Sequence, residues 1–169
     1  MLKDTDLFDK LPELITFGDV LGTIEWTENA GPESYTVNMT WRFRSKRVGR
    51  ASTTFSKLPP TDDYQVLWNV LEFSEDHQGK GLYSLLLKTL SEELPEYGIV
   101  KFAAAPLDKT AEGIFKASGW EWTDLGLTAD LTSTRVRQWR SYKFGKGRHP
   151  KWRRDVLDEH GLSDDVEAV

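Results

Sequence analysis

With 169 residues, 38% hydrophobic and 29% charged side chains and a formal net charge of −5, the chain is long and apolar enough for one hydrophobic core, which excludes a disordered or fibrous protein. No apolar run approaches the roughly 20 residues of a membrane-spanning helix, and the acidic start MLKDTDLFDK lacks the pattern of a secretory signal, so a cytoplasmic location is the default expectation. Cysteine is absent, which excludes disulfides, thiolate metal sites and cysteine nucleophiles, and His77, His149 and His160 are too scattered to suggest a metal cluster.

In chain order, Leu7, Phe8, Leu11 and Leu14 fall at helical spacing within residues 4–17, although Pro12 interrupts the pattern. Residues 22–28 (GTIEWTE) read as a strand and residues 29–32 (NAGP) as a turn. In residues 35–44 the alternation is clean. Tyr35, Val37, Met39, Trp41 and Phe43 take one face, and Thr36, Asn38, Thr40, Arg42 and Arg44 take the other. Residues 45–47 turn the chain, residues 48–55 return as the hairpin partner, and LPPTDD at 58–63 breaks the pairing.

Residues 65–73 (QVLWNVLEF) are apolar on both faces apart from Asn69 and Glu72, the pattern of a central strand. Leu82, Leu86 and Leu90 then step by four, with Leu85 and Leu94 beside them, and Pro95 ends the predicted helix. Residues 99–105 (IVKFAAA) form a second buried strand. Residues 110–118 form a short helix closed by Gly119, and strands are predicted at 120–123 and 136–144. A strand–helix–strand unit implies a parallel pair with a right-handed crossover. The predicted fold class is therefore α/β (α+β), a single mixed sheet joining an antiparallel N-terminal meander to that unit. Residues 1–145 form the domain and residues 146–169 a basic, then acidic, tail.

The chemistry concentrates in EFSEDHQGKGLY, Glu72 to Tyr83, between the central strand and the leucine helix. Gly79 and Gly81 permit a tight turn and close backbone approach. The unpaired first-turn amides of the following helix, with its dipole and Lys80, make a ready site for a diphosphate. An ordinary strand-to-helix turn would use the same glycines. Neither the P-loop nor the dinucleotide fingerprint matches.

Gln78-Gly79-Lys80-Gly81-Leu82-Tyr83 resembles motif A of the GCN5-related N-acetyltransferases (GNATs), Q/R-x-x-G-x-G/A, whose amides grip the pyrophosphate of acyl-coenzyme A. Residues 111–120 (AEGIFKASGW) are similar to the family's A-x-x-ϕ-Y-x-x-x-G-F helix, which lies along the pantetheine and thiol end. The resemblance covers about residues 64–123 and implies an acyl-coenzyme A-dependent N-acyltransferase, with acetyl-CoA or another acyl-CoA as cofactor. The cofactor-binding set it implies is Phe73, Ser74, Gln78, Gly79, Lys80, Gly81, Leu82, Tyr83 and Phe115. The sequence departs from the pattern at three places. Tyr83 stands where the family has Gly or Ala, Asp108 where it often has Asn, and Phe115 where many members have the Tyr that protonates the leaving thiolate. Phenylalanine has no proton to give, so water or a hydroxyl such as Ser118 would substitute. The family usually has two helices between its first two strands, and this sequence offers at most one.

Acyl transfer to an amine needs a donor to the thioester carbonyl and a base for the amine. A backbone N–H from Glu72 to Ser74 suits the first role. Glu72 suits the second: on an apolar strand, sharing a face with Val66, Trp68 and Val70, burial would raise its pKa toward neutrality. A solvent-facing carboxylate paired with Arg or Lys is the alternative for Glu72. Asp76 and His77 are the runners-up, and Asp108 and Ser118 complete the catalytic candidates.

Residues 135–154 hold nine Lys or Arg and no acid, and residues 155–169 hold six acids and no base, leaving 13 bases and 21 acids, a net of −8, in residues 1–134. With Trp139, Tyr142, Phe144 and Trp152 among its bases, Arg135 to Arg154 suits nucleic acid, although a last strand pair with a solvated basic face would read the same. Residues 113–122 (GIFKASGWEW) with Arg148-His149-Pro150 are also similar to Mom-type phage DNA-modification enzymes, a narrower resemblance than the first. The acceptor class most expected is a small-molecule or peptide amine. The alternatives are a nucleic-acid-binding or nucleobase-modifying protein on the same fold, or a non-catalytic acyl-coenzyme A-binding module. The sequence carries no signal of oligomeric state.

Overall fold

The computed structural model describes residues 1–29, 31, 33–75, 82–104, 116, 120–124 and 126–131. Helix α1 spans Leu7–Leu14. Strands follow at Val20–Glu28 (β1), Ser34–Phe43 (β2), Lys46–Lys57 (β3) and Tyr64–Phe73 (β4). After helix α2, Leu82–Glu93, come β5 at Ile99–Ala104, β6 at Glu121–Thr123 and β7 at Gly126–Asp130. All seven strands lie in one sheet in the order β1-β2-β3-β4-β5-β7-β6. The β4–β5 pair is parallel and the other five pairings are antiparallel. This is the predicted mixed sheet, with the meander β1–β4 joined through α2 to a parallel partner. No described helix is long and apolar enough to cross a membrane.

The two-residue period of β2 is realised: Tyr35, Val37, Met39 and Trp41 are buried while Asn38 and Arg42 are exposed. Helix α1 covers that apolar face. Phe8 stacks on Trp26 with ring centroids 4.7 Å apart and meets Tyr35 and Phe55 edge-on at 5.6 and 5.8 Å. The Trp41 indole N–H donates to the Ile15 carbonyl at 2.7 Å, which gives a fully buried ring its polar partner. Pro12 sits inside α1 and lacks the N–H of the usual helical bond, yet packing of Leu7, Phe8 and Leu11 holds the helix together. The exit from α1 runs so close to β1 that a Cβ on Gly22 would lie 2.4 Å from Ile15 Cγ1.

The β2–β3 hairpin turns through Arg44 (φ 52°) and Ser45 (φ 67°), the left-handed conformations a tight two-residue hairpin loop demands. Leu82, Leu86, Leu87 and Leu90 of α2 are buried in the same cluster as α1 and the sheet, and each contributes about 1.5–3 kcal/mol by leaving water. Pro95 opens a 3₁₀ turn at Leu94–Tyr97, and Gly98 in the left-handed region (φ 79°) leads into β5.

As the sequence reading has it, the N-terminal helix precedes the first two strands, and among the described residues no helix lies between β1 and β2. Two features differ from that reading. Strand β7 was not anticipated. It inserts between β5 and β6, pairing Phe102 with Ala129 and Trp122 with Leu127. The second difference lies within β4, where a bulge reverses the strand's faces beyond Asn69. The predicted helix at 110–118 has only Lys116 described, as helical. The strand predicted at 136–144 and the tail at 146–169 lie outside the described residues.

Candidate functional site

The site is built at the C-terminal end of β4. Among the described residues, parallel pairing with β5 is seen from Tyr64↔Ile99 to Trp68↔Ala104, and β4 pairs with β3 as far as Phe73. A bulge follows: Thr53 pairs with Trp68 and Ser52 with Val70, so Asn69 is an extra residue on β4. A bulge bends the strand that carries it and shifts its side-chain phase by one. Phe73 thereby joins Val66 and Trp68 on the buried face, against Trp41 with ring centroids 5.0 Å apart.

The same shift corrects the expectation for Glu72. It does not share the face of Val66 and Trp68, and its side chain is 48% exposed. Oε1 accepts from Nε–H of Arg50, its cross-strand neighbour, at 2.5 Å. Burial among apolar neighbours, the premise for Glu72 as a base, is absent, and the alternative of a solvent-facing carboxylate paired with Arg holds. At 53% exposure Arg50 is equally open, and such a pair contributes about 0–1 kcal/mol.

The backbone of 72–74 sorts by direction. Ser74 N–H donates to the Val48 carbonyl at 2.8 Å and is thus spent on β3. Glu72 forms the adjacent hydrogen-bonded pair with Arg50, so the Phe73 N–H between them points away from β3, toward the side on which β5 lies earlier in the strand. Of the three amides considered for the thioester carbonyl, the Phe73 N–H has the fitting direction and the Ser74 N–H does not.

A cavity of about 160 Å³ opens at this strand end, lined by Arg47, Val48, Gly49, Arg50, Glu72, Phe73 and Ser74. Gly49 is required there, since a Cβ would stand 2.4 Å from Phe73 Cδ1. Helix α2 starts at Leu82, directly after the Gln78–Gly81 segment, and its first turn holds no acidic residue to occupy the positive end of its dipole. The buried indole N–H of Trp68 has no acceptor among the described residues. A helix whose first turn carries no acid suits an anion at its positive end.

The described structure brings Glu72, Phe73 and Ser74 together and buries Leu82 at the head of α2. Asp76, His77, Gln78, Gly79, Lys80, Gly81, Asp108, Phe115 and Ser118 lie outside the described residues, as do the side chain of Tyr83 and all of Arg135 to Arg154. Sequence reading overlooked Arg50, Arg47 and Gly49. Their signal was the pairing of residues 48–55 with the central strand, which sets the start of one beside the end of the other.

No protein-family model matches the sequence, and no curated protein matches it. Among solved structures, the chain is similar to the toxin AtaT bound to the C-terminus of the antitoxin AtaR, at 14% identity and a TM-score of 0.47 over 62% of this chain and 68% of that one. It is similar to a protein from Desulfovibrio desulfuricans provisionally assigned to the GNAT acetyltransferases, at 11% identity and a TM-score of 0.45 over 57% and 69% of the two chains. A third is a predicted acetyltransferase from Clostridium acetobutylicum solved with acetyl-CoA, at 21% identity and a TM-score of 0.46 over 57% and 64%. At TM-scores below 0.5, none of these likenesses carries a residue's role to this chain.

Proposed function

We propose that this protein is an acyl-coenzyme A-dependent N-acyltransferase acting on an amine acceptor. The observation that carries the reading is the bulge at Asn69, which bends the C-terminal end of the central strand β4 beside a cavity, a few residues before the Gln78-Gly79-Lys80-Gly81 segment that precedes α2 in the sequence. In this reading the amides of Gly79 to Tyr83 and the positive end of α2 hold the pyrophosphate, as the motif resemblance implies. The bound cofactor supplies an acyl group activated as a thioester.

The chain's own residues divide the remaining work. The Phe73 N–H is directed to the β5 side of β4. Glu72 lines the cavity rim, where its carboxylate, held at Oε1 by Arg50, can accept a hydrogen bond from the acceptor amine but does not serve as its base. An ammonium acceptor gives up its proton to water before its nitrogen attacks. Phe115 cannot protonate a departing thiolate, which leaves that proton to water or to Ser118.

Native mass spectrometry of the purified chain tests the reading. Co-purified or added acetyl-CoA bound at one per chain, with loss of the acetyl mass on adding an amine, supports it. Binding without transfer to any amine would reduce the protein to an acyl-CoA-binding module. Absence of any coenzyme A adduct would remove the reading altogether.

A further inference from the structure

The β2–β3 hairpin places five cations within nine residues, Arg42, Arg44, Lys46, Arg47 and Arg50, at the same sheet end as the candidate site. All five are exposed. Arg42 and Arg47 stand directly opposite one another in the register. Residues so paired share a face, and two like charges there repel and destabilise the hairpin. Arg42 shares its face with Thr40, the partner of Arg50, and Arg50 is in turn opposite Glu72; this is the sheet face turned away from α1. Arg44 lies over the Phe43 ring at 5.0 Å, and among the described residues only Arg50 of the five has an acidic partner. Arg42 and Arg47 thus form a repelling pair that a shared anion would relieve. A guanidinium fork matches the oxygens of a phosphate, and cross-strand neighbours can reach one anion together.

Position assigns this anion to one side of the reaction. The hairpin flanks β4 on the β3 side. Helix α2 leads to β5, on the opposite flank of β4. Resting on the acyltransferase reading, we propose that Arg42 and Arg47 bind a phosphate on the acceptor amine, so that the acceptor is a phosphate-bearing amine. A polyamine or another cationic acceptor would meet repulsion at this edge.

The test follows the arginine Nε–H signals of the full chain by NMR while inorganic pyrophosphate is added, alone and with saturating coenzyme A. The Arg42→Gln/Arg47→Gln double variant is measured in parallel, and both proteins are titrated calorimetrically with acetyl-CoA. The expected result is movement of the Arg42 and Arg47 signals with and without coenzyme A. The double variant should lose at least about tenfold in pyrophosphate affinity and keep its acetyl-CoA affinity. Signals that do not move, or that move only without coenzyme A, overturn the proposal; in the latter case the pair serves the cofactor. So does an equal loss of acetyl-CoA affinity in the double variant. If acetyl-CoA gives no heat while pyrophosphate still moves both signals, the acyltransferase reading fails and the acceptor assignment falls with it, although the phosphate site itself stands.

Discussion

At Gly49, core packing and the candidate site meet at one backbone position, and Gly49→Ala tests both. The added Cβ would lie 2.4 and 2.6 Å from Phe73 Cδ1 and Cε1 and 3.1 Å from the Glu72 carbonyl. Neither neighbour yields easily. The Phe73 ring is 3% exposed and has Trp41 behind it, ring centroids 5.0 Å apart, and the carbonyl belongs to a paired strand. Overpacking of this kind costs about 1–3 kcal/mol. For a domain of this size that lowers the melting temperature by roughly 2–12 °C. A Phe73→Leu change in the same chain removes the struck atoms, so the double variant should recover part of the loss, a coupling that distant sites do not show. Thermal unfolding followed by circular dichroism reads all three variants. A Gly49→Ala protein melting within about 1 °C of the parent would show that the ring has room, and would refute this packing of the strand end.

Trp41→Phe leaves the Ile15 carbonyl without its donor and trims a fully buried ring, so urea unfolding should report a loss of about 1–3 kcal/mol; a loss under about 0.5 kcal/mol contradicts the role given to that hydrogen bond. Tyr97 donates to Asp6 at 2.7 Å. That bond, foremost, raises the Tyr97 pKa, and the same bond, ahead of Lys10, lowers that of Asp6. The Tyr97 contribution is complete below its ordinary value near 10 and is lost as pH rises through the higher folded value; the Asp6 contribution is complete above about 4 and is lost as pH falls through the lower folded value. Tyr97→Phe should flatten both limbs of a stability–pH curve, and an unchanged curve would count against the pair. Glu72→Gln should leave acetyl-CoA affinity intact and lower turnover by less than about tenfold, whereas a loss of roughly 100-fold would show that Glu72 is the base despite its exposure and its Arg50 partner.

What the sequence made legible follows physical regularity. Strand β2 could be read because its period of two is unbroken from Tyr35 to Trp41. Helix α1 could be read through Pro12 because three apolar anchors outweigh one missing hydrogen bond. Strand β7 escaped because Gly126–Asp130 is five residues long, begins with glycine and ends in aspartate, so its place is set by pairing with Phe102 and Trp122 rather than by its own pattern. The misplacement of Glu72 has the same origin. A bulge exists only in the pairing of two strands, and no period within β4 announces that Asn69 is supernumerary. The Arg50–Glu72 pair was legible only as one of two alternatives, since choosing between them required the register.

The central claim is that the loop entering α2 grips the pyrophosphate of an acyl-coenzyme A, and calorimetric titration of acetyl-CoA into the parent chain and into Gly81→Val tests it most directly. The account predicts a dissociation constant in the micromolar range, about −8 kcal/mol, for the parent. For Gly81→Val it predicts weakening of at least about tenfold, because a β-branched side chain would intrude on the close approach of backbone to phosphate. No heat with any coenzyme A derivative, or equal affinity in the two proteins, would contradict it.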